Sequence, residues 1–178
     1  MSSGPGDRSA QAISRIVSVL ALAVLAAGLL HGGPAAALPG DAAAIAAASD
    51  LDKNPKDIEA VTIVCTRCHN AAQFLSSPRS SSRWEQTYGQ MAQNGATGTD
   101  DQLNGVVHYM QKNLTIINVN TSPEEEIQPT LQVDDATADA IMARRLKKPF
   151  ASVVDLAQVP GVDRGIVDKL MTKKLLLF

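Results

Sequence analysis

Five consecutive residues, Cys65-Thr66-Arg67-Cys68-His69, constrain this chain more than any other stretch. The pattern is C-x-x-C-H, the spacing for covalent attachment of a c-type haem. Two thiols one helical turn apart can add to the two vinyl groups of a single porphyrin. The histidine that follows then lies under the iron and can bind it through a ring nitrogen. Cys65 and Cys68 are the only cysteines, so haem attachment uses both and leaves none for a disulfide. A redox dithiol would want a βαβ context, whereas this segment reads as helical. A zinc site would need more ligands at suitable spacing, and the only other histidines are His31 and His108.

The N-terminus carries an address that agrees with the motif. Arg8 and Arg15 form a basic region, Ile16 to Leu30 is an uncharged apolar run, and Ala35-Ala36-Ala37 gives an A-x-A-type site. Residues 1–37 are therefore expected to be a Sec signal peptide cleaved after Ala37. An uncleaved anchor is the alternative, for which the run is short. Either way the rest of the chain is expected in the periplasm or otherwise exported, and haem c is attached outside the cytoplasm.

The 178 residues allow one or two small domains. Aromatic residues are scarce, three Phe, two Tyr and one Trp, and a small domain this poor in them gains from a large apolar cofactor in its core. Residues 38–53 are alanine-rich and read as a leader or short first helix without chemistry. Asn54-Pro55 starts a helix, with Asn54 as N-cap and Pro55 at its first position, and the C-x-x-C-H motif closes that helix. Residues 70–80 read as a loop over the haem edge. Ser82-x-x-Glu85 and Thr99-x-x-Gln102 are capping boxes that would open two further helices. On the first of these, Trp84, Tyr88 and Met91 share one face, and Gly95 ends it. The second presents Leu103, Val106, Val107 and Met110. Residues 54–116 thus form a small all-α haem domain.

The iron needs a sixth ligand or an open site. Met91 is the candidate, because it follows the motif by one loop and most of a helix, enough chain to reach the other haem face. A thioether there raises the reduction potential and suits electron transfer. The other reading of Met91 is a core residue on an apolar stripe. Met110 and His108 are the alternative ligands.

Taken together, Cys65–His69, Trp84, Tyr88, Met91, Gly95 and Tyr109 resemble the small class I cytochromes c over about residues 50–115. The resemblance is to single-haem domains that serve as electron-accepting subunits or partners of periplasmic dehydrogenases. It implies that Met91, the methionine of this helix, is the distal ligand, and that the partner is a redox protein.

From Val119 the character changes. Ser122-Pro123-Glu124-Glu125 reads as a third capping box, and four short helices are predicted, at about 123–131, 136–147, 153–158 and 164–172. Ser152 is expected to cap the third. The turns Gln132-Val133-Asp134 and Gly161-Val162-Asp163 join them in pairs and lie 29 residues apart, an internal repeat. The stretches Asn118 to Glu125, Pro149 to Leu156 and Val159 to Val162 resemble a tandem helix-hairpin-helix domain over about 117–178. Relatives of that kind include exported DNA receptors of competence systems and structural subunits that bind no DNA. DNA-binding members hold phosphate with backbone N–H groups of a G-h-G hairpin. Here Asp134 and Asp163 replace the second glycine of each hairpin and Gln132 replaces a first one, so a phosphate meets carboxylates. Charge argues the other way: residues 144–178 carry eight bases and three acids, a face that could meet DNA, an acidic protein or lipid head groups.

The expectation is a periplasmic c-type cytochrome that carries single electrons on one covalent His69/Met91 haem, with the helix-hairpin-helix segment as a docking module. No catalytic carboxylate pair, Ser/His/Asp set or phosphate loop is present, so it is not expected to be an enzyme by itself. The alternatives are an exported DNA-binding protein bearing a haem, and a sensor whose sixth site takes a small ligand.

Overall fold

The computed structural model describes residues 39–178, so the expected signal peptide and its cleavage position at Ala37 lie outside the described residues. The described chain is mostly helical, in agreement with the all-α expectation. The helices are α1 (Pro39–Ala48), α2 (Pro55–Cys65), α3 (Ala72–Leu75), α4 (Ser81–Gln93), α5 (Asp100–Asn113), α6 (Glu124–Leu131), α7 (Asp135–Lys147), α8 (Val153–Leu156) and α9 (Arg164–Thr172). Strands β1 (Ile117–Asn118) and β2 (Leu176–Leu177) pair in parallel and bring the end of the chain back to the start of its second half. Among the described residues no helix is long and apolar enough to cross a membrane.

Local chemistry explains several helix ends. Asn54 accepts from the Lys56 N–H, and Pro55 opens α2 as expected. Thr99 and Gln102 form the reciprocal capping box of α5. The other two boxes do not form. Helix α4 begins two residues earlier than that box implies, at Ser81, with Ser80 as an N-cap whose side chain caps nothing. The cause is tertiary: the Arg79 N–H donates to the Leu114 carbonyl at 3.2 Å, and the Arg79 carbonyl accepts from Ile116 at 2.9 Å. That pairing fixes where the chain enters α4. At α6 the N-cap is Pro123, because the Ser122 hydroxyl is taken by the Asn118 N–H at 3.1 Å.

Two cores result. The first gathers Ile45, Val61, Val64, Phe74, Trp84, Val106, Tyr109 and Met110, among others. Helices α2 and α5 cross closely within it; a Cβ added at Gly105 would lie 2.7 Å from the Ala60 Cβ, so only glycine lets the helices approach this far. The alanine-rich segment read as a leader is built into this core. Ile45 of α1 is fully buried, and the Tyr109 hydroxyl donates to its carbonyl at 2.7 Å.

The second core holds Ile127, Leu131, Ile141, Phe150, Leu156, Val167 and Leu170, and it also takes in Leu51 from the connection between α1 and α2. Burying one such aliphatic side chain contributes about 1.5–3 kcal/mol. The exposed Arg164–Asp168 pair at 2.9 Å contributes about 0.5 kcal/mol at most. Packing therefore decides the arrangement. Polar contacts reinforce the junction: the Gln132 amide donates to the Leu51 carbonyl at 2.8 Å, Thr130 to the Gln111 carbonyl at 3.2 Å, and Lys173 to the Ala48 carbonyl at 2.9 Å. The short linker is thus a packed junction.

Candidate functional site

The motif occupies the last turn of α2 and the turn beyond it. Helix α2 ends at Cys65 with Thr66 as C-cap, and the Thr66 hydroxyl donates back to the Thr62 carbonyl at 2.5 Å. Cys65 packs against the first core and is half-buried, while Cys68 is exposed; neither is in a disulfide. Burial pushes the Cys65 thiol up to about 12, so it is held in its protonated form at neutral pH. Arg67, between the cysteines, donates to the Thr97 carbonyl at 3.3 Å and ties the motif to the turn before α5.

His69 is half-buried, with the edge of Phe74 against its ring at 6.2 Å between centroids. Its Nδ1 lies 3.3 Å from the Asn70 carbonyl. With the proton on Nδ1 donated to that carbonyl, the lone pair of Nε2 is left for a metal, the usual way a backbone acceptor sets the tautomer of a ligating histidine. Asp41 of α1 fixes the next residues: its Oδ1 accepts the Ala71 N–H at 2.9 Å, and its buried Oδ2 has no partner among the described residues.

These groups fit the covalent haem that the motif implies. Two unpaired thiols stand three residues apart at a helix end, the adjacent imidazole has one nitrogen engaged and one available, and Cys65, like Ile58, Leu75 and Tyr88, packs against the first apolar core. Among the described residues no three His, Cys, Asp or Glu side chains come together as a site for a bare ion.

The sixth-ligand candidates fall in different surroundings. Trp84, Tyr88 and Met91 do share a face of α4, and it grades outward. Trp84 is buried, Tyr88 is half-buried and stacked on it with ring planes 15° apart, and Met91 lines an open cleft of about 210 Å³ with Arg79, Arg83, Gln86, Thr87 and Gln90. Met91 is therefore not part of the packed core. Met110 is buried in the first core, and His108 is exposed on α5. The structure places Cys65, Cys68 and His69 together; Met91 stands on a separate helix.

In the second half the observed helices follow the expected four closely, and Ser152 caps α8 by accepting the Asp155 N–H at 3.2 Å. Each hairpin turns through a left-handed residue, Gln132 at φ 55° and Gly161 at φ 90°. The hairpins meet at that point, where a Cβ on Gly161 would lie 2.1 Å from the Thr137 Oγ1. Asp134 is the N-cap of α7 and accepts the Thr137 N–H at 2.9 Å. Asp163 is the N-cap of α9 and accepts the Gly165 N–H at 2.6 Å. Both carboxylates thus occupy the helix N–H groups a phosphate would need. Hydrogen bonds from Thr137 hold the Asp134 carboxyl below the usual carboxylate range.

Most of the basic excess is engaged within the chain. Arg144 pairs with Asp155 at 2.7 Å and lies over the Phe150 ring. Arg145 donates to the Val119 and Ser122 carbonyls, Arg164 pairs with Asp168, Lys169 donates to the Asp50 carbonyl and Lys173 pairs with the Asp50 carboxylate at 2.5 Å. No such partner is found for Lys147, Lys148 or Lys174 among the described residues.

Sequence reasoning passed over Arg79, Arg83 and Asp41. Arg79 falls in a stretch that reads as a loop and Asp41 in one that reads as without chemistry, and the partners that fix them, Leu114 and Ala71, lie tens of residues away. Against known protein families, curated proteins and solved structures, nothing matches this chain.

Proposed function

We propose that this protein is an exported monohaem c-type electron carrier. The observation that carries the reading is the C-x-x-C-H turn itself, with both thiols unpaired at the end of α2 and His69 Nδ1 directed to a backbone carbonyl. Bound haem would supply one-electron chemistry at its iron. Cys65 and Cys68 would hold it covalently, and His69 and Met91 would be its protein ligands. Phe74, Tyr88 and the first core would keep water from the His69 side. A half-buried Cys65 beside an exposed Cys68 suits a group buried along one edge and open along another, which is what exchange with a redox partner needs.

The second half would be a docking module for a partner protein, such as a periplasmic dehydrogenase. Duplex DNA is disfavoured as its ligand, because Asp134 and Asp163 cap their own helices and most bases are internally bonded.

The test is retention of haem by the exported chain after denaturation and acidic organic extraction. The wild type is expected to keep one haem per chain, and Cys65→Ser/Cys68→Ser to keep none. Full extraction of haem from the wild type, or its absence throughout, would sink the proposal.

A further inference from the structure

The cleft beside Met91 is lined by two guanidinium groups and two side-chain amides, with no carboxylate in its wall. Arg79 is held in place from three sides. Its backbone pairs with residues 114 and 116, its guanidinium lies 5.0 Å over the Trp84 ring, and Nη1 donates to the Thr87 hydroxyl at 2.9 Å. Thr87 in turn donates to the Arg83 carbonyl at 2.7 Å, so its hydroxyl is used in positioning Arg79. Arg83 Nη1 donates to the Gln86 carbonyl oxygen at 3.0 Å. Every partner of these guanidinium groups is neutral, and neither arginine forms an ion pair among the described residues. Each guanidinium has five N–H donors in a planar fork, so most remain free for a ligand.

We propose that Arg79 and Arg83, with the amides of Gln86 and Gln90, form a receptor for a small oxyanion of the phosphate or sulfate class. Two forks over a cleft of about 210 Å³ match an ion with several acceptor oxygens, and the preset Arg79 limits the ordering cost of binding. The four receptor residues include no proposed haem ligand, while Met91 lines the same cleft, so phosphate binding is read separately from haem attachment.

The test is titration of the exported full-length protein with inorganic phosphate, ionic strength being held constant with chloride. It is read on the arginine side-chain and residue 79–91 backbone N–H resonances. Saturable shifts centred on Arg79, Arg83, Gln86 and Gln90 are expected. Arg83→Gln is expected to weaken binding about tenfold, the loss of one charge-assisted contact. It should leave the fold intact, because among the described residues the Arg83 side chain bonds only to Gln86. Arg79→Gln should weaken binding too, with unchanged backbone N–H resonances in α5 and α7, away from the substituted guanidinium, confirming that the fold is kept. Shifts that grow linearly with phosphate, that chloride reproduces, or that persist unchanged in Arg83→Gln would overturn the proposal.

Discussion

Asp134 and Asp163 are the N-caps of α7 and α9, and each turns its carboxylate onto its own helix. The sign of the consequence follows from the lowered Asp134 carboxyl. Its charged form is favoured in the folded chain, so the stability it adds is present above the ordinary carboxylate range near ~4 and is lost as pH falls through the lowered value. Asp57 acts oppositely. Burial raises its carboxyl, against the pull of His108 and Lys112, so stability is gained as pH falls through its raised value. A comparison with Asp134→Asn isolates the first effect. The urea midpoint of the wild type is expected to fall toward that of the variant on acidification below pH about 4; parallel profiles would contradict the assignment. That Asp134 lies in a turn before a helix was legible in the sequence. That its carboxylate caps that helix became visible only with the backbone in place.

At the level of the helices, two of the local end signals hold and two give way to distant contacts. The Thr99/Gln102 box and the Asn54-Pro55 start involve neighbours two or three residues apart, and both form. The Ser82/Glu85 and Ser122/Glu125 patterns are equally good locally, yet lose to distant partners: Arg79 pairs with residues 114 and 116, and Ser122 serves Asn118. The α2–α5 crossing gives a sharper test. Gly89 in α4 has nothing within 4 Å of an added Cβ, so Gly89→Ala should stabilise by about 0.5–1 kcal/mol through helix propensity. At Gly105 the added atom meets Ala60, and Gly105→Val should destabilise by about 2–3 kcal/mol through overpacking. Urea midpoints at constant slope measure both; equal effects would refute the close crossing.

Across the whole described chain, the two helical halves share structure. Leu51 comes from the first half and is buried in the second core, and Gln132 reaches back to its carbonyl. Leu51→Ala should therefore cost about 3 kcal/mol and lower a single unfolding transition, seen alike by Trp84 fluorescence in the first half and by helical circular dichroism. Two separate transitions would show that the halves fold independently. This coupling was not legible beforehand. Residues 38–53 carry no motif, and Gln132, which reaches the Leu51 carbonyl, lies 81 positions away. The C-x-x-C-H turn needed no such context, because five adjacent residues carry its chemistry. Met91 lies between these cases: its place on the Trp84/Tyr88 face was readable, whereas its open cleft beside two arginines was not.

The most direct measurement is the visible absorption spectrum of the exported protein, oxidised and reduced, beside that of Met91→Ala. The His69/Met91 account requires a low-spin c-type spectrum with a weak far-red methionine–iron band in the oxidised wild type, and loss of that band in the variant. A high-spin haem, or a band unchanged by the substitution, would contradict Met91 as ligand, and a chain without covalent haem would contradict the electron-carrier account altogether.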